Sequence, residues 1–171
     1  MTKALLVIDI QNDYFAGGGF PLWNPDGALA AAEHAIARAR AAGIPVVHIQ
    51  HIADASRGPG PFFNAGTPGV EIHPRILAAA PDAPVVIKTH ADSFHHTTLA
   101  ATLDTLAATE LVVCGMMTHN CVTHTSISKA AERYAVTVIP EACTTVSEIL
   151  HRIALGALAP RVKLAPADEA L

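Results

Sequence analysis

The chain has 171 residues, is 51% hydrophobic and carries a formal net charge of −4. This length suits one domain with a sizeable core, so we expect residues 1–171 to form a single domain, and the apolar composition excludes intrinsic disorder. The absence of a basic block argues against nucleic acid as a partner. No apolar stretch of the sequence is long enough to span a bilayer, and the first residues do not resemble a signal peptide.

The cysteine content indicates a reducing compartment. Cys114, Cys121 and Cys143 are an odd number of thiols, and no two of them form a CxxC pair. The sequence therefore predicts neither a disulfide framework nor a zinc ribbon, and a cytoplasmic protein is expected.

Apolar runs alternate with helical patterns along the chain. Strands are predicted at residues 4–10, 45–50, 84–88, 111–114, 135–139 and 161–164. Helices are predicted at residues 26–42, 97–108, 119–133 and 146–158. Residues 51–82 are rich in glycine and proline and are expected to be irregular, as in a functional loop or lid. This alternation predicts an α/β fold whose parallel sheet is covered on both faces.

The stretch LVVCGMMTHNCVTHT, residues 111–125, carries the first chemical signal. An apolar strand is followed by Gly115 and then by a predicted helix, which places Cys121 in the first turn at the carboxyl end of a strand. Ligands bind at that edge of open α/β sheets, and a helix start favours a thiolate with a lowered pKa. Cys121 is thus a candidate nucleophile, and the alternative is a buried, unreactive cysteine.

Two further charged residues come at the ends of predicted strands. Asp9 closes the first strand and Lys88 closes the third. Because the carboxyl ends of parallel strands share one edge, an acid, a cation and the Cys121 thiol are expected to converge there. Each alone has an ordinary structural explanation, but their coincidence indicates a catalytic site.

These residues lie in motifs that resemble the isochorismatase-like cysteine hydrolases, which include nicotinamidases and carbamoylsarcosine amidohydrolase. The matching segments are ALLVIDIQNDYF, GTPGVEIHP, KTHADSF, VVCGMMTHNCVTHT and AVTVIPEAC. The resemblance spans nearly the whole chain. It implies a Rossmann-like three-layer sandwich with a six-stranded parallel sheet, acting on a small-molecule substrate without an organic cofactor, commonly as a homo-oligomer.

The resemblance also implies roles for particular residues. Asp9, Lys88 and Cys121 correspond to the family's catalytic triad. A cis peptide bond is expected between Met116 and Met117, so that the backbone N–H groups of Met117 and Cys121 form an oxyanion hole.

Three more side chains are candidates for substrate binding. Phe15 and Phe94 match family positions near the pocket. His119 lies two residues before the candidate nucleophile Cys121, in the turn that carries it (the nucleophile turn), and faces either substrate or solvent. Trp23, Phe62 and Phe63 are expected instead to pack loops onto the core or onto a second subunit, and Asp13 to hold the loop after the first strand by hydrogen bonds.

The sequence departs from the family in two places. The segment TTVSE connects Cys143 to the last long helix directly, where relatives of similar length have a longer connection that contributes to a pocket wall or an oligomer contact. The segment HIQHIAD contains His48 and His51 but lacks the Asp-x-His element through which nicotinamidases bind a metal. We therefore expect no metal, and His48, within a strand, is expected to be packed or at the pocket edge.

The sequence thus predicts a cysteine-dependent hydrolase of an amide-type C–N bond that works through a thioester. A vinyl-ether hydrolase of the isochorismatase type would use the aspartate as an acid and would not need the thiol. A non-catalytic family member that only binds a ligand is the other alternative. The identity of the substrate depends on loop residues, and the sequence of these loops does not predict it.

Overall fold

The computed structural model describes residues 2–171 and contains one sheet of six parallel strands. The strands are β1 (Lys3–Ile8), β2 (Val46–His51), β3 (Val85–Lys88), β4 (Glu110–Met116), β5 (Ala135–Thr144) and β6 (Lys163–Leu164). Their order across the sheet is β3-β2-β1-β4-β5-β6. The predicted α/β fold with a six-stranded parallel sheet is confirmed.

Helices cover both faces of this sheet. They are α1 (Pro25–Ala41), α2 (Pro74–Ala79), α3 (Leu99–Thr105), α4 (Thr123–Ser126), α5 (Glu148–Leu158) and α6 (Ala167–Ala170). Every residue of β1 from Ala4 to Ile8 is buried, which requires a layer on each side of the sheet. None of the described helices is both long and apolar enough to cross a membrane.

Helix α1 shows why the sheet is tightly covered. Its buried residues recur at helical spacing and are mostly alanines: Ala28, Leu29, Ala32, Ala35, Ile36 and Ala39. Small side chains on one stripe let the helix lie close to the strands. The helix stops before Gly43, whose φ of +69° provides the left-handed turn expected of a C-terminal cap.

The direction in which successive strands are added to the sheet reverses between β1 and β4. β1 pairs with β2 on one side and with β4 on the other. Successive connections therefore leave the sheet in opposite directions at the carboxyl ends of β1 and β4. This is the position at which open α/β sheets form a crevice for ligands.

Three expected boundaries were wrong. The helix predicted at 119–133 is broken into a π-helical turn at Thr118–Val122, the short α4, and a 3-10 turn at Lys129–Arg133. Hydroxyl groups cause the breaks, because Thr123 Oγ1 donates to the Thr118 carbonyl and Ser128 Oγ accepts from the Ala130 N–H.

The other two boundaries that were wrong are those of β5 and of the long loop at residues 51–82. β5 continues past its predicted end at residue 139, through Pro140 to Thr144, so that Cys143 lies in the strand. The segment 51–82 contains α2 and is irregular only outside it.

Candidate active site

Asp9, Lys88 and Cys121 meet at the carboxyl edge of the sheet. Lys88 Nζ lies 2.7 Å from Asp9 Oδ2, and both side chains are fully buried. An oxygen of the Asp9 carboxylate lies within 4.8 Å of the Cys121 sulfur. The charges of Asp9 and Lys88 both act on the thiol. The structure thus brings together the three residues that the strand ends suggested.

The thiol is held in its protonated form. Burial and, to a smaller extent, the neighbouring Asp9 charge raise the pKa of Cys121 to about 12, although the Lys88 ammonium opposes the rise. The expectation that the helix start would lower this pKa was wrong, because the single turn at Thr118–Val122 is outweighed by burial and by the carboxylate.

The ammonium of Lys88 remains charged. Burial lowers its pKa, but the Asp9 charge and the interaction with Cys121 raise it by more, and the pKa of Lys88 lies above its ordinary value. A positive charge that is enclosed in this way stabilises negative charge on either neighbour.

His51, the last residue of β2, is a fourth member of the site. Its Nδ1 atom lies 3.0 Å from Lys88 Nζ and 4.0 Å from Asp9 Oδ2. Burial lowers the pKa of His51 to about 4, and the Lys88 charge contributes, so the ring is neutral at pH 7. Sequence reasoning considered His51 only as a metal ligand, although its register opposite Lys88 followed from the strand ends.

Gln11 fixes His51 through the backbone. The Gln11 side chain is buried and bonds to both the N–H and the C=O of His51, at 2.8 and 2.9 Å, and also donates to the Val70 carbonyl at 2.7 Å. Gln11 therefore ties the end of β2 to the loop that covers the site.

The donor set fits a resident metal poorly. One ligand atom each from Asp9, His51 and Cys121 lie within 4.8 Å of one another. However, the Lys88 ammonium contacts Asp9 Oδ2 and His51 Nδ1, so a cation already occupies the space between these two donors. Asp54, the single acid of the HIQHIAD segment, is exposed and accepts hydrogen bonds from Ser56.

The turn before Cys121 has the expected backbone. The peptide bond between Met116 and Met117 is cis. The Met117 carbonyl accepts hydrogen bonds from the N–H groups of Asn120 and Val122, at 3.0 and 3.2 Å. These bonds hold the turn that carries the thiol.

Cys121 opens onto a cavity of about 280 Å³. Its wall is formed by loops that follow β1, β2 and β3 and by the nucleophile turn: Tyr14, His51, Ala53, Asp54, Arg57, Gly58, Pro59, Gly60, Pro61, Phe62, Thr89, His90, Asn120 and Cys121. Polar groups of several kinds thus surround a partly apolar pocket, as is typical of small-molecule sites.

The three residues predicted to bind substrate do not line this cavity. Phe15 packs on His73 with ring centroids 4.5 Å apart, and Phe94 stacks on Tyr134 at 6.2 Å. His119 Nδ1 bonds to Thr145 Oγ1 at 2.6 Å. Tyr14 lines the cavity, whereas its neighbour Phe15 packs in the core.

Aromatic packing and the Asp13 carboxylate shape the part of the cavity wall that Tyr14 and Phe62 form. Phe62 lines the cavity and Phe63 is buried beneath it, both in contact with Tyr14, with ring centroids 5.6 and 4.6 Å away. Asp13 accepts from the Phe63 N–H at 2.6 Å and from the Gly19 N–H at 2.8 Å. The structural role predicted for Asp13 is confirmed, whereas Phe62 belongs to the pocket.

The short connection after β5 supports the nucleophile turn. β5 ends at Thr144 and α5 begins at Glu148. Thr145 contacts His119 in this connection, and Thr118 Oγ1 lies 2.9 Å from His151 Nδ1 of α5. Helix α5 therefore contacts the turn that carries Cys121 directly.

The remaining sequence candidates lie away from the cavity. Cys114 and Cys143 are buried, and burial raises the pKa of both thiols. His48 is packed in β2 with Nε2 3.0 Å from the Ala80 carbonyl, as expected for a histidine in a strand.

Comparison with known proteins places the chain in a family. The model of the isochorismatase domain matches residues 3–165. The isochorismatase family protein YddQ of Bacillus subtilis is 41% identical over 147 residues, which are 86% of this chain and 80% of YddQ. A streptothricin hydrolase of Streptomyces noursei is 33% identical, over 99% of this chain and 64% of that protein.

A solved structure agrees with the sequence matches. The crystal structure of an isochorismatase-type hydrolase from Oleispira antarctica superposes with a TM-score of 0.87 and 36% identity, covering 98% of this chain and 95% of that one. The chain belongs to the isochorismatase family of hydrolases.

Proposed function

We propose that this chain hydrolyses a small-molecule amide-type C–N bond through a thioester on Cys121. The observation that carries the proposal is the Cys121 thiol on the cavity wall with the Asp9 carboxylate and the Lys88 ammonium beside it. A nucleophile, a base and a fixed cation in one buried group are the parts that acyl transfer requires.

The first step couples proton transfer to attack. Because the pKa of Cys121 is raised to about 12, the resting thiol keeps its proton until substrate arrives. Asp9 takes the proton as the sulfur attacks the carbonyl carbon, and the Lys88 charge stabilises the pair while the proton moves.

The tetrahedral intermediate then collapses. We assign its oxyanion to the backbone N–H groups of Met117 and Cys121, and one such donor typically contributes about 2.7–4 kcal/mol. Asp9 returns its proton to the leaving amine as the C–N bond breaks. A water molecule attacks the thioester, Asp9 removes one of its protons, and the carboxylic acid leaves as the thiol is restored.

The test compares two buried cysteines. We expect Cys121→Ala and Cys121→Ser to lose at least about 10³-fold in turnover of a substrate panel. Ammonia release follows primary amides and carbamoyl compounds, and mass spectrometry follows the ring opening of lactams. Cys143→Ala removes a thiol that does not line the cavity and should retain turnover. Mass spectrometry of wild-type protein quenched during turnover should show an acyl adduct on Cys121, and undiminished turnover by Cys121→Ala would refute the proposal.

The assembly and setting are part of the same proposal. The chain acts as one domain, as a homo-oligomer in the cytoplasm, on a small molecule. Ile149 and Ile153 are 73% and 62% exposed one turn apart on α5, which supports burial against a second copy. Light scattering of wild-type and Ile149→Glu/Ile153→Glu proteins should show a smaller particle for the variant, and a monomeric wild-type protein would exclude the oligomer.

A further inference from the structure

Three exposed histidines lie together in the loop between β3 and α3. They are His90, His95 and His96. Their ring centroids are 4.0 Å apart for His95 and His96, 4.5 Å for His90 and His95, and 6.1 Å for His90 and His96. Among the side-chain hydrogen bonds of residues 2–171, the His90 ring makes one and the other two rings make none. Their ring nitrogens are therefore available to a ligand.

The backbone of the loop holds this arrangement. His96 has a φ of +54°, a left-handed conformation that few residues other than glycine adopt, and its ring lies against that of the residue before it. The loop is fixed to the segment after the nucleophile turn. The N–H and the hydroxyl of Ser93 bond to Thr125 Oγ1 at 3.0 and 2.8 Å, and Asp92 accepts from Ser128 Oγ at 2.7 Å. Exposed rings are thus carried on an anchored backbone.

The spacing of the rings suits a tetrahedral metal ion. With metal–nitrogen distances of about 2.0–2.1 Å, two imidazoles on one zinc ion have centroids about 5 Å apart. The three observed separations lie on both sides of that value. Within residues 2–171, the group of three donors already within 4.8 Å of one another is the one beside Lys88, so the exposed rings must turn to meet at one point. Their exposure allows movements of about 1 Å without loss of core packing.

Thr89 determines which nitrogen of His90 faces such an ion. His90 Nδ1 lies 3.1 Å from Thr89 Oγ1. Histidines that bind a metal commonly donate their other ring N–H to an oxygen, which fixes the tautomer. With Nδ1–H donated to Thr89, the lone pair on Nε2 is left for the metal. Imidazole nitrogen suits zinc, copper and nickel ions, whereas magnesium and calcium prefer oxygen ligands.

We propose that His90, His95 and His96 bind one borderline first-row divalent cation, such as Zn²⁺, through one ring nitrogen each. Three protein ligands leave a fourth position of a tetrahedral ion to water or to another molecule. The site lies outside the HIQHIAD segment and uses none of the donors beside Lys88.

The ion would lie at the rim of the candidate active site. His90 lines the cavity, and its carbonyl oxygen accepts a hydrogen bond from Lys88 Nζ at 3.0 Å. A cation that joins residue 90 to residues 95 and 96 therefore closes the loop that follows Lys88. No step of the proposed hydrolysis uses the ion, so each proposal can fail without the other.

Titration of tag-free protein from which metals have been removed tests the inference. At a pH of about 7.5, where imidazole is free to bind a metal, calorimetry should give one Zn²⁺ per chain with a Kd of about 1 µM or lower. Mg²⁺ should give no binding. Each of His90→Ala, His95→Ala and His96→Ala should weaken zinc binding at least about tenfold. His34→Ala removes an exposed histidine of α1 and should bind zinc as the wild type does.

Two further measurements distinguish this site from the thiol. In a long-range ¹H–¹⁵N spectrum, zinc should shift the ring nitrogens of His90, His95 and His96 and leave those of His51 unchanged. Cys121→Ala should bind zinc with the affinity of the wild type. A Kd above about 100 µM, undiminished affinity in any of the three histidine variants, or loss of binding in Cys121→Ala would each overturn the inference.

Discussion

Lys88 Nζ lies 2.7 Å from Asp9 Oδ2, and the two side chains are fully buried where β1 and β3 end. β3 is the edge strand and does not pair with β1, so the lysine side chain reaches past β2 to meet the carboxylate. Two opposite charges removed from water in this way depend on each other. The Asp9 charge raises the pKa of the Lys88 ammonium, and the two charges have opposite effects on the pKa of the Cys121 thiol.

The first prediction concerns the stability of this pair. Lys88→Met leaves the Asp9 charge buried without its partner and should lower the free energy of unfolding by about 3–5 kcal/mol. Lys88→Met/Asp9→Leu removes both charges, and its free energy of unfolding should fall markedly less than that of Lys88→Met. Urea unfolding of the wild type and the single and double variants measures the coupling, and strictly additive losses would show that the ion pair is not coupled.

The second prediction concerns the reactivity of Cys121. Asp9 raises the pKa of the thiol and Lys88 lowers it, so removing either charge should move the thiolate population in opposite directions. At pH 8, Asp9→Asn should be alkylated at Cys121 by iodoacetamide faster than the wild type, and Lys88→Met more slowly. Peptide mapping assigns the label to Cys121, and equal rates in all three proteins would contradict the electrostatic account.

The sequence predicted those site residues whose chemical type and position at a strand end both indicated a site. Asp9 and Lys88 lie at the ends of predicted strands and Cys121 follows one, and the parallel topology alone brings such ends to one edge. The pocket wall could not be read in this way. Whether Tyr14 or Phe15 faces the cavity depends on a single 3-10 turn at Asn12–Tyr14, and the identity of Phe62 as a wall residue depends on Asp13 holding a distant loop.

The protonation state of Cys121 was also beyond a sequence argument. The position at the start of a predicted helix suggested a lowered pKa. Burial and the Asp9 charge reverse that effect, and both depend on contacts between residues 112 positions apart in the chain. The helix itself is shorter than its pattern indicated, because Thr and Ser hydroxyl groups bond to the backbone within it.

The third prediction concerns acid stability. Burial lowers the pKa of His48, although its hydrogen bond to the Ala80 carbonyl opposes the shift, and the residue is only 1% exposed. Because the folded-state pKa lies below the ordinary value of 6.5, the unfolded state binds the proton first as the pH falls. The stability that the neutral ring supports is complete above pH 6.5 and is lost as the pH falls through the folded-state pKa.

Replacement of the ring should remove this linkage. His48→Gln should show a shallower fall in the free energy of unfolding below pH 6.5, by up to about 1.4 kcal/mol per pH unit. At pH 8, the decrease in the free energy of unfolding of His48→Gln relative to the wild type measures the packing change alone and serves as the baseline. His51, whose pKa is lowered to about 4, should account for part of the slope that remains. Parallel curves for His48→Gln and the wild type below pH 6.5 would exclude the linkage.

The fourth prediction concerns the glycine that lets β1 and β4 meet beneath the site. Gly115 has a φ of +130° and pairs with Ile8, and a Cβ at this position would overlap the Ile8 carbonyl oxygen and lie 2.7 Å from the Ile8 nitrogen. Both obstacles are central-strand backbone and cannot move aside. Gly115→Ala should therefore lower the free energy of unfolding by at least about 3 kcal/mol.

A second glycine provides the matched control. Gly156 lies in α5, and a Cβ there would have nothing within 4 Å. Gly156→Ala should raise the free energy of unfolding by about 0.5–1 kcal/mol, because alanine favours the helix. Denaturant unfolding of both variants gives the comparison. A Gly115→Ala protein as stable as the wild type would mean that β1 and β4 can separate at Asp9, and the close approach that places Asp9 beside the nucleophile turn would then need another origin.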